Sequence, residues 1–356
     1  MHPPTTASDD SAILLPTRQS VEWLALPRVA DLPGPAQARI AITLACRDCD
    51  PIPKVANAGR IFTHEGEPVQ IMHDGTLIRA GGYYGDWMAR IIAGLHGHHE
   101  PQEEALFHGL LPHTRPGSLF VELGAYWAYY TNWYLGAVPG SRAVCVEPDA
   151  THLEMGRRNL ALNGREARLI HAAVGGSFQP AGPDQAVECL DMPALLDKVS
   201  PEPIELLHMD VQGAETAFLR SLRNIDAATY LRFIVVSTHH VAISGSPTTH
   251  EDCLSELRSQ GAFILDEHSI EESFSGDGLI VASFEQRDRW LRMPPITRAP
   301  EELSRLVWES AGLSDAVATA HLPPHPPRDW LHQQAVRIRC SARRQLRQFG
   351  LLKRAG

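Results

Sequence analysis

The chain has 356 residues, of which 44% are hydrophobic and 21% charged. That is enough apolar material for a real core, and it excludes a chain disordered by composition. The formal net charge, 32 − 42 = −10, argues against a general nucleic-acid binder, and no apolar run approaches the roughly 20 residues of a membrane span.

Residues 1–35 are rich in proline and small polar residues and read as a loose arm with a helix near residues 21–26. MHPPTTASDDSAILLPTRQ lacks a basic segment followed by a long apolar one, so a cytoplasmic location is expected. Cys46 and Cys49 form a single CxxC followed by Pro51 and Pro53. A structural zinc site needs four ligands and a redox dithiol a helix start, so a loop with two reduced thiols is expected. From Arg39 to Leu111 the text is irregular, aromatic and histidine-rich. Within it Trp87, Ile91 and Leu95 fall at helical spacing, and Pro101 suits the first turn of another helix, with Glu103 and Glu104 near its positive end. Residues 1–99 are read as an arm and a lid or substrate-binding extension.

The middle of the chain alternates short apolar runs with helical stretches. SLFVELG, RAVCVEP, ARLIHAAVG, IELLHMD and LRFIVVSTHH read as five strands, and HLEMGRRNLALNG as a helix that stops at Asn163-Gly164. This alternation predicts βαβ units and a parallel sheet buried on both faces. After a helix over 251–260, AFILDEH and DGLIVASF leave no room for a crossover helix, so they close the sheet as an antiparallel hairpin. The core is read as residues 100–292. Residues 293–356 form an appendage with helices near 300–312 and 328–349. From Leu331 onward it carries seven arginines and lysines and no acid, read as a solvated helical face or a weak contact with an anionic surface.

Chemistry in an open parallel sheet sits beyond the carboxyl ends of its strands, where strand order reverses. Glu122 and Gly124 close the first strand and Glu147 closes the second. An acid at the second position can accept both hydroxyls of a ribose. The first loop, Glu122-Leu-Gly-Ala-Tyr-Trp-Ala-Tyr-Tyr, has one glycine and several bulky aromatics. That opposes a pyrophosphate, which needs G-x-G-x-x-G, and favours a nucleoside without phosphates, S-adenosylmethionine rather than NAD.

The segments FVELGAYWAYYT, VCVEPD, NLALNG, LIHAAVGG, ELLHMDVQGAE and FIVVSTHH together resemble the FkbM family of S-adenosylmethionine-dependent methyltransferases, over about residues 100–285. HMDVQGAE is the most specific piece. Tyr126 and Ala128 depart from the glycines many methyltransferases carry in the first loop. The resemblance implies a class I, Rossmann-like methyltransferase core. It also implies a cofactor site in which Glu122, Gly124, Ala125 and Tyr126 line the methionine and ribose end. Glu147 and Pro148 would hold the ribose, His171 and Ala172 would border the adenine, and Asp210 would lie at methyl transfer. An alternative for Glu122 and Glu147 is that each caps a following helix.

Because a sulfonium already activates the methyl, catalysis is placement of a nucleophilic oxygen and removal of its proton. Asp210 with His239 and His240 suits either a histidine base oriented by an aspartate or a set holding a divalent ion such as magnesium or manganese. Adjacent side chains of an extended strand face opposite ways, so both histidines reach one ion only if the strand has ended. Histidines 98 and 99 with Glu100 are candidates to cover the cofactor, and Glu267, His268 and Asp277 to line a substrate cleft. Asp191 reads as a helix start, and Tyr83, Tyr84 and Trp87 as core or as a sugar-stacking platform. The expected reaction is O-methylation of a small molecule, a sugar, a glycan or a natural product. The rivals are N-methylation on the same fold, a non-catalytic module that binds the nucleoside, and, more distantly, a dehydrogenase.

Overall fold

The computed structural model describes residues 21–175, 187–199 and 202–300. The helices expected over 300–312 and 328–349, and the basic tail, lie outside the described residues except for residue 300. Among the described residues, no helix is long and apolar enough to cross a membrane.

The strands of the first part are β1 (Trp23–Leu24), β2 (Ile61–His64), β3 (Glu67–Ile71) and β4 (Leu77–Arg79), which form one four-stranded antiparallel sheet in chain order. The helix expected near 21–26 is therefore a strand. Its backbone pairs with Ile61 and Phe62, and Trp23 packs edge-on against Phe62 under the Arg60 guanidinium. The helices here are α1 (Gly34–Ala45), α2 (Asp86–Gly94) and α3 (Pro101–Leu110). Cys46 and Cys49 follow α1 as buried free thiols.

The main sheet contains β5 (Leu119–Leu123), β6 (Arg142–Glu147), β7 (Arg168–Val174), β8 (Glu188–Leu190), β9 (Ile204–Met209), β10 (Leu231–Thr238), β11 (Phe263–His268) and β12 (Gly278–Ser283). Their order is β11-β12-β10-β9-β5-β6-β7-β8. β12 runs antiparallel to both neighbours, and the β5 to β10 ladders are parallel. Helices α4 (Tyr129–Ala137), α5 (Ala150–Leu162), α6 (Met192–Val199), α7 (Glu215–Ser221), α8 (Ala227–Tyr230), α9 (Val241–Ser244) and α10 (Thr249–Ser259) connect these strands. This is the doubly wound, class I methyltransferase order, with the expected antiparallel closure and one additional short edge strand, β8.

Every residue of β9, β10 and β12 is buried, as a sheet covered on both faces requires. Val121, Leu207, Ile234 and Phe218 belong to the apolar cluster on one face; Phe120, Leu206, Phe233 and Val235 belong to the cluster on the other. The second cluster also contains Ile40, Met72, Ile91 and Phe107, so the N-terminal elements pack directly on the sheet. Two asparagines fix them further: Asn163, the C-cap of α5, accepts from Leu77 N–H through Oδ1 at 2.8 Å, and Asn159 on α5 accepts from Arg79 N–H through Oδ1 at 2.9 Å.

Strand alternation puts Glu122, His208 and Ser237 on that second face, with Glu122 opposite His208 in register. α3 descends onto this polar row. Pro101 starts it as expected, yet Glu103 and Glu104 turn inward rather than toward solvent. Glu103 takes the His208 ring at 2.5 Å and the Ser237 hydroxyl at 2.7 Å.

Candidate active site

Strand order reverses at β5, whose neighbours β6 and β9 follow it in opposite directions, and the crevice opens at their carboxyl ends. Gly124, directly after β5, has φ +76°, and a Cβ there would lie 1.7 Å from the Asp210 carbonyl oxygen. Its N–H and that of Ala125 donate to the Val146 carbonyl at 2.9 and 3.1 Å, while Asp210 N–H donates to the Leu123 carbonyl at 3.0 Å. Three strand tips are thus laced together by backbone.

The loop then turns through two non-glycine residues in the left-handed region, Tyr126 at φ +37° and Ala128 at φ +56°. The glycine-type turn is kept without the glycines. Among the contacts that hold it, Tyr126 N–H donates to Glu147 Oε2 at 3.0 Å, the Tyr126 ring stacks on His152 with centroids 3.5 Å apart, and Asn159 Nδ2 donates to the Trp127 carbonyl at 2.9 Å. Glu147, buried at the end of β6, also accepts from Asp149 N–H at 3.0 Å through Oε1. Glu122 behaves differently. It accepts from the Thr131 N–H and hydroxyl at 3.0 and 2.5 Å, so it caps α4. Burial raises its carboxyl to about 7, against the opposing pull of His208 and Thr131.

Asp210 and His239 meet across neighbouring strand tips, with His239 Nε2 3.0 Å from Asp210 Oδ1. Behind them, Glu215 at the start of α7 takes His239 Nδ1 at 2.6 Å. Gln212 places its amide nitrogen 2.8 Å from Asp210 Oδ1 and 2.7 Å from His239 Nε2. Asp277, on the loop leading into β12, faces the same imidazole at 3.7 Å. Burial opposes charge on His239, but Glu215 and Asp277, with the hydrogen bonds from Asp210 and Glu215, hold its pKa well above the usual histidine range. For Asp210 burial is outweighed by the His239 bond and charge, and its pKa is lowered. Asp277 goes the other way: burial, opposed by His239 and reinforced by Asp210 and Glu100, pushes it up to about 8. The unit sets one imidazole, held toward its charged form, among three carboxyl groups, with Asp210 pulled toward ionisation and Asp277 toward the protonated acid.

A cleft lies over this unit. Asp210, Gln212 and Asp277 line its floor, and Tyr83, Tyr84, Trp87, His99 and Glu100 come from the N-terminal elements. The aromatic residues are continuous with the first loop, since Tyr83 stacks on Trp127 at 4.5 Å and 3° and meets Tyr126 edge-on at 5.1 Å.

Asp210 and His239 are brought together as the sequence suggests, whereas His240 is turned elsewhere. It is the N-cap of α9, its Nδ1 accepting from Ala242 N–H at 3.2 Å, and burial lowers its pKa. Among the described residues Asp210, His239 and His240 do not converge as a set of three metal ligands. Pro148 accepts from the His171 ring through its carbonyl at 2.9 Å, beside Glu147. His171 is exposed, while Ala172 is enclosed in the apolar core behind it. Asp191 caps α6 through Ala194 N–H at 2.9 Å, and of Glu267, His268 and Asp277 the last lines the cleft while the other two do not. Reading the sequence missed the roles of Gln212 and Glu215. Both stand inside HMDVQGAE, and that signature was their available signal.

No family model and no curated protein matches the chain. Among solved structures it is similar to an O-methyltransferase from Bacillus cereus in complex with SAH (17% identity, 52% of this chain and 80% of that one, TM-score 0.33). It is also similar to TrmK of M. capricolum, in complex with S-adenosyl-homocysteine (12% identity, 65% and 93%, TM-score 0.35), and to a precorrin-6y C5,15-methyltransferase from Geobacter metallireducens GS-15 (15% identity, 52% and 87%, TM-score 0.35). These scores are low, and the architecture rests on the strand order and register themselves.

Proposed function

We propose that the chain is an S-adenosylmethionine-dependent O-methyltransferase of the FkbM type, acting on a hydroxyl of a sugar, glycan or other natural product. The observation that carries this reading is the crevice at β5, β6 and β9. There a buried carboxylate, Glu147, stands beside a pinned glycine, Gly124, and opposite Asp210.

The residues fit the cofactor. A carboxylate offers about four lone-pair positions; Glu147 uses Oε2 for Tyr126 N–H and Oε1 for Asp149 N–H, with the His152 ring 3.5 Å from Oε1. One acceptor position on each oxygen is left for the ribose hydroxyls. A ligand without phosphates is favoured because the first loop carries Tyr126 and Trp127 where a pyrophosphate loop needs glycines. When bound, the cofactor supplies a methyl already activated on a sulfonium.

The chain's own groups then have separable tasks. Glu215 and Asp210 clamp His239 from its two ring nitrogens and favour its protonated form, so it acts as a positive strut and not as the proton acceptor; its Nε2 then donates to Asp210 Oδ1, to which the Gln212 amide also donates. It keeps Asp210 ionised and aimed into the cleft. Asp277 accepts no short hydrogen bond among the described residues and faces the same space. With its pKa near 8 it is the group suited to take the acceptor's hydroxyl proton. Tyr84 and Trp87 offer faces for a sugar ring. Because Asp210, His239 and His240 do not converge, no metal-assisted step is assigned to this unit.

Incubation of the full chain with isotopically labelled S-adenosylmethionine and a panel of glycosides tests the reading. A labelled methyl on oxygen supports it; labelling on nitrogen, or binding without turnover on any acceptor, contradicts it.

A further inference from the structure

Behind the wall of the cleft lies a second, enclosed cluster that the proposed reaction does not use. His73 sits on the turn between β3 and β4, His98 on the link from α2 to α3, and Glu104 in the first turn of α3. Their relative exposures are 2%, 0% and 0%, and one ligand atom from each lies within 4.8 Å of the others.

The arrangement is convergent. His98 Nδ1 contacts Glu104 Oε2 directly. The Tyr129 hydroxyl donates to the same oxygen at 3.0 Å and lies 3.1 Å from His73 Nδ1. The two imidazoles stack with centroids 4.2 Å apart. Independently of these contacts, His98 Nε2 is buried without any hydrogen-bond partner, an uncompensated polar atom in an otherwise closed site. The backbone is also built tightly here. His73 N–H donates to the Gly97 carbonyl at 3.1 Å, and a Cβ on Gly97 would lie 2.2 Å from the His73 nitrogen. Turn and linker are therefore held together before any side chain contributes.

We propose that His73, His98 and Glu104 bind a divalent transition-metal ion of the zinc class. Two imidazole nitrogens and one carboxylate oxygen suit zinc, whereas magnesium and calcium prefer all-oxygen sets. The Tyr129 hydroxyl, 3.0 Å from Glu104 Oε2 and 3.1 Å from His73 Nδ1, is the neighbouring oxygen that would supply a fourth ligand. No substrate reaches this enclosure, so the ion is structural: it ties a hairpin turn, a linker and a helix that are distant in sequence. It also acts on the cleft indirectly. Glu104 Oε1 holds the His99 ring at 2.6 Å and its N–H at 2.7 Å, and His99 lines the cleft. This site is separate from Asp210 and His239 and does not depend on the proposed reaction.

The test is elemental analysis of the untagged full chain after zinc-supplemented expression, together with cobalt titration read by visible absorption. The expected result is about one zinc per chain, and intense bands of low-coordinate cobalt with nitrogen ligands. Glu104→Gln, which keeps the shape of the side chain, should weaken binding about 10- to 100-fold or more, as His73→Asn should. Asp210→Asn should retain the ion. Wild-type protein without zinc or cobalt uptake overturns the proposal. So does full metal content in Glu104→Gln, or loss of the ion in Asp210→Asn alone. If His98→Ala fails to fold, the glutamine variant and the wild-type cobalt spectrum still decide.

Discussion

Gly124 and Asp210 touch through their backbones: the position a Cβ would take on the glycine is 1.7 Å from the aspartate's carbonyl oxygen. This contact sets how far the tip of β9 stands from the first loop, and so where the Asp210 carboxylate enters the crevice.

Gly124→Ala therefore cannot be absorbed by a side-chain shift, because the clash is with backbone and φ is positive. The expected cost is roughly 3 kcal/mol or more in unfolding free energy, with turnover lost even in the fraction that folds. Denaturant unfolding of the variant checks this. An unchanged midpoint would mean that the β5 and β9 tips are further apart than described.

The neighbouring loop gives a prediction of opposite sign. Ala128 holds φ +56° without being glycine, a conformation that costs an L-residue about 1–2 kcal/mol. Ala128→Gly should be neutral or stabilising by about 1 kcal/mol, whereas the same change inside an ordinary helix destabilises by about that amount. A thermal melt distinguishes the two outcomes.

His239 owes its charge to the carboxylates around it. Glu215→Gln removes the partner behind Nδ1, so its pKa should fall toward the usual range. In histidine NMR titrations the wild-type ring should remain protonated through neutral pH, and the variant's should titrate at lower pH. Turnover should drop by roughly 100-fold while cofactor affinity is kept. A ring that titrates identically in both proteins contradicts the strut role.

Asp277 gives a pH signature. Its carboxyl is raised from 3.8 to about 8 by burial, with Asp210 and Glu100 adding to it and His239 opposing. The folded state therefore binds this proton more tightly than the unfolded one. The stability it contributes is fully present below about 4 and is lost as pH rises toward 8. Asp277→Asn carries no such loss, so the melting-temperature difference, variant minus wild type, should grow between pH 5 and pH 8. Its turnover should also fall sharply at every pH, because the proposed proton acceptor is gone. A pH-independent difference would mean that Asp277 is an ordinary exposed acid.

The central sheet was legible because its five longer parallel strands are apolar runs of five to eight residues, all but β7 closing on or beside an acid or a histidine, as expected of a doubly covered parallel sheet. β8 was not: Glu188-Cys189-Leu190 is three residues long, and two of them are exposed. The antiparallel sheet before the core was hidden for a related reason. Its strands, such as Glu67-Pro68-Val69-Gln70-Ile71, are short and interrupted by proline and polar residues. In the site, Asp210 and His239 could be paired because both end strands. Glu103 and Glu104 looked like charges placed for a helix dipole. Their burial depends on partners as distant as His208, and no local spacing reveals such contacts. His240 was read with His239 because the two are adjacent, but the strand ends before them and His240 is spent on capping α9.

Titration calorimetry of the full chain with S-adenosylhomocysteine addresses the central claim most directly, wild type against Glu147→Gln. Loss of the charged acceptor for the ribose hydroxyls should weaken binding about 10- to 100-fold. The predicted result is saturable wild-type binding at one site, reduced by that factor in the variant. No heat with wild type, or equal affinity in both proteins, would contradict a nucleoside held at the tips of β5 and β6.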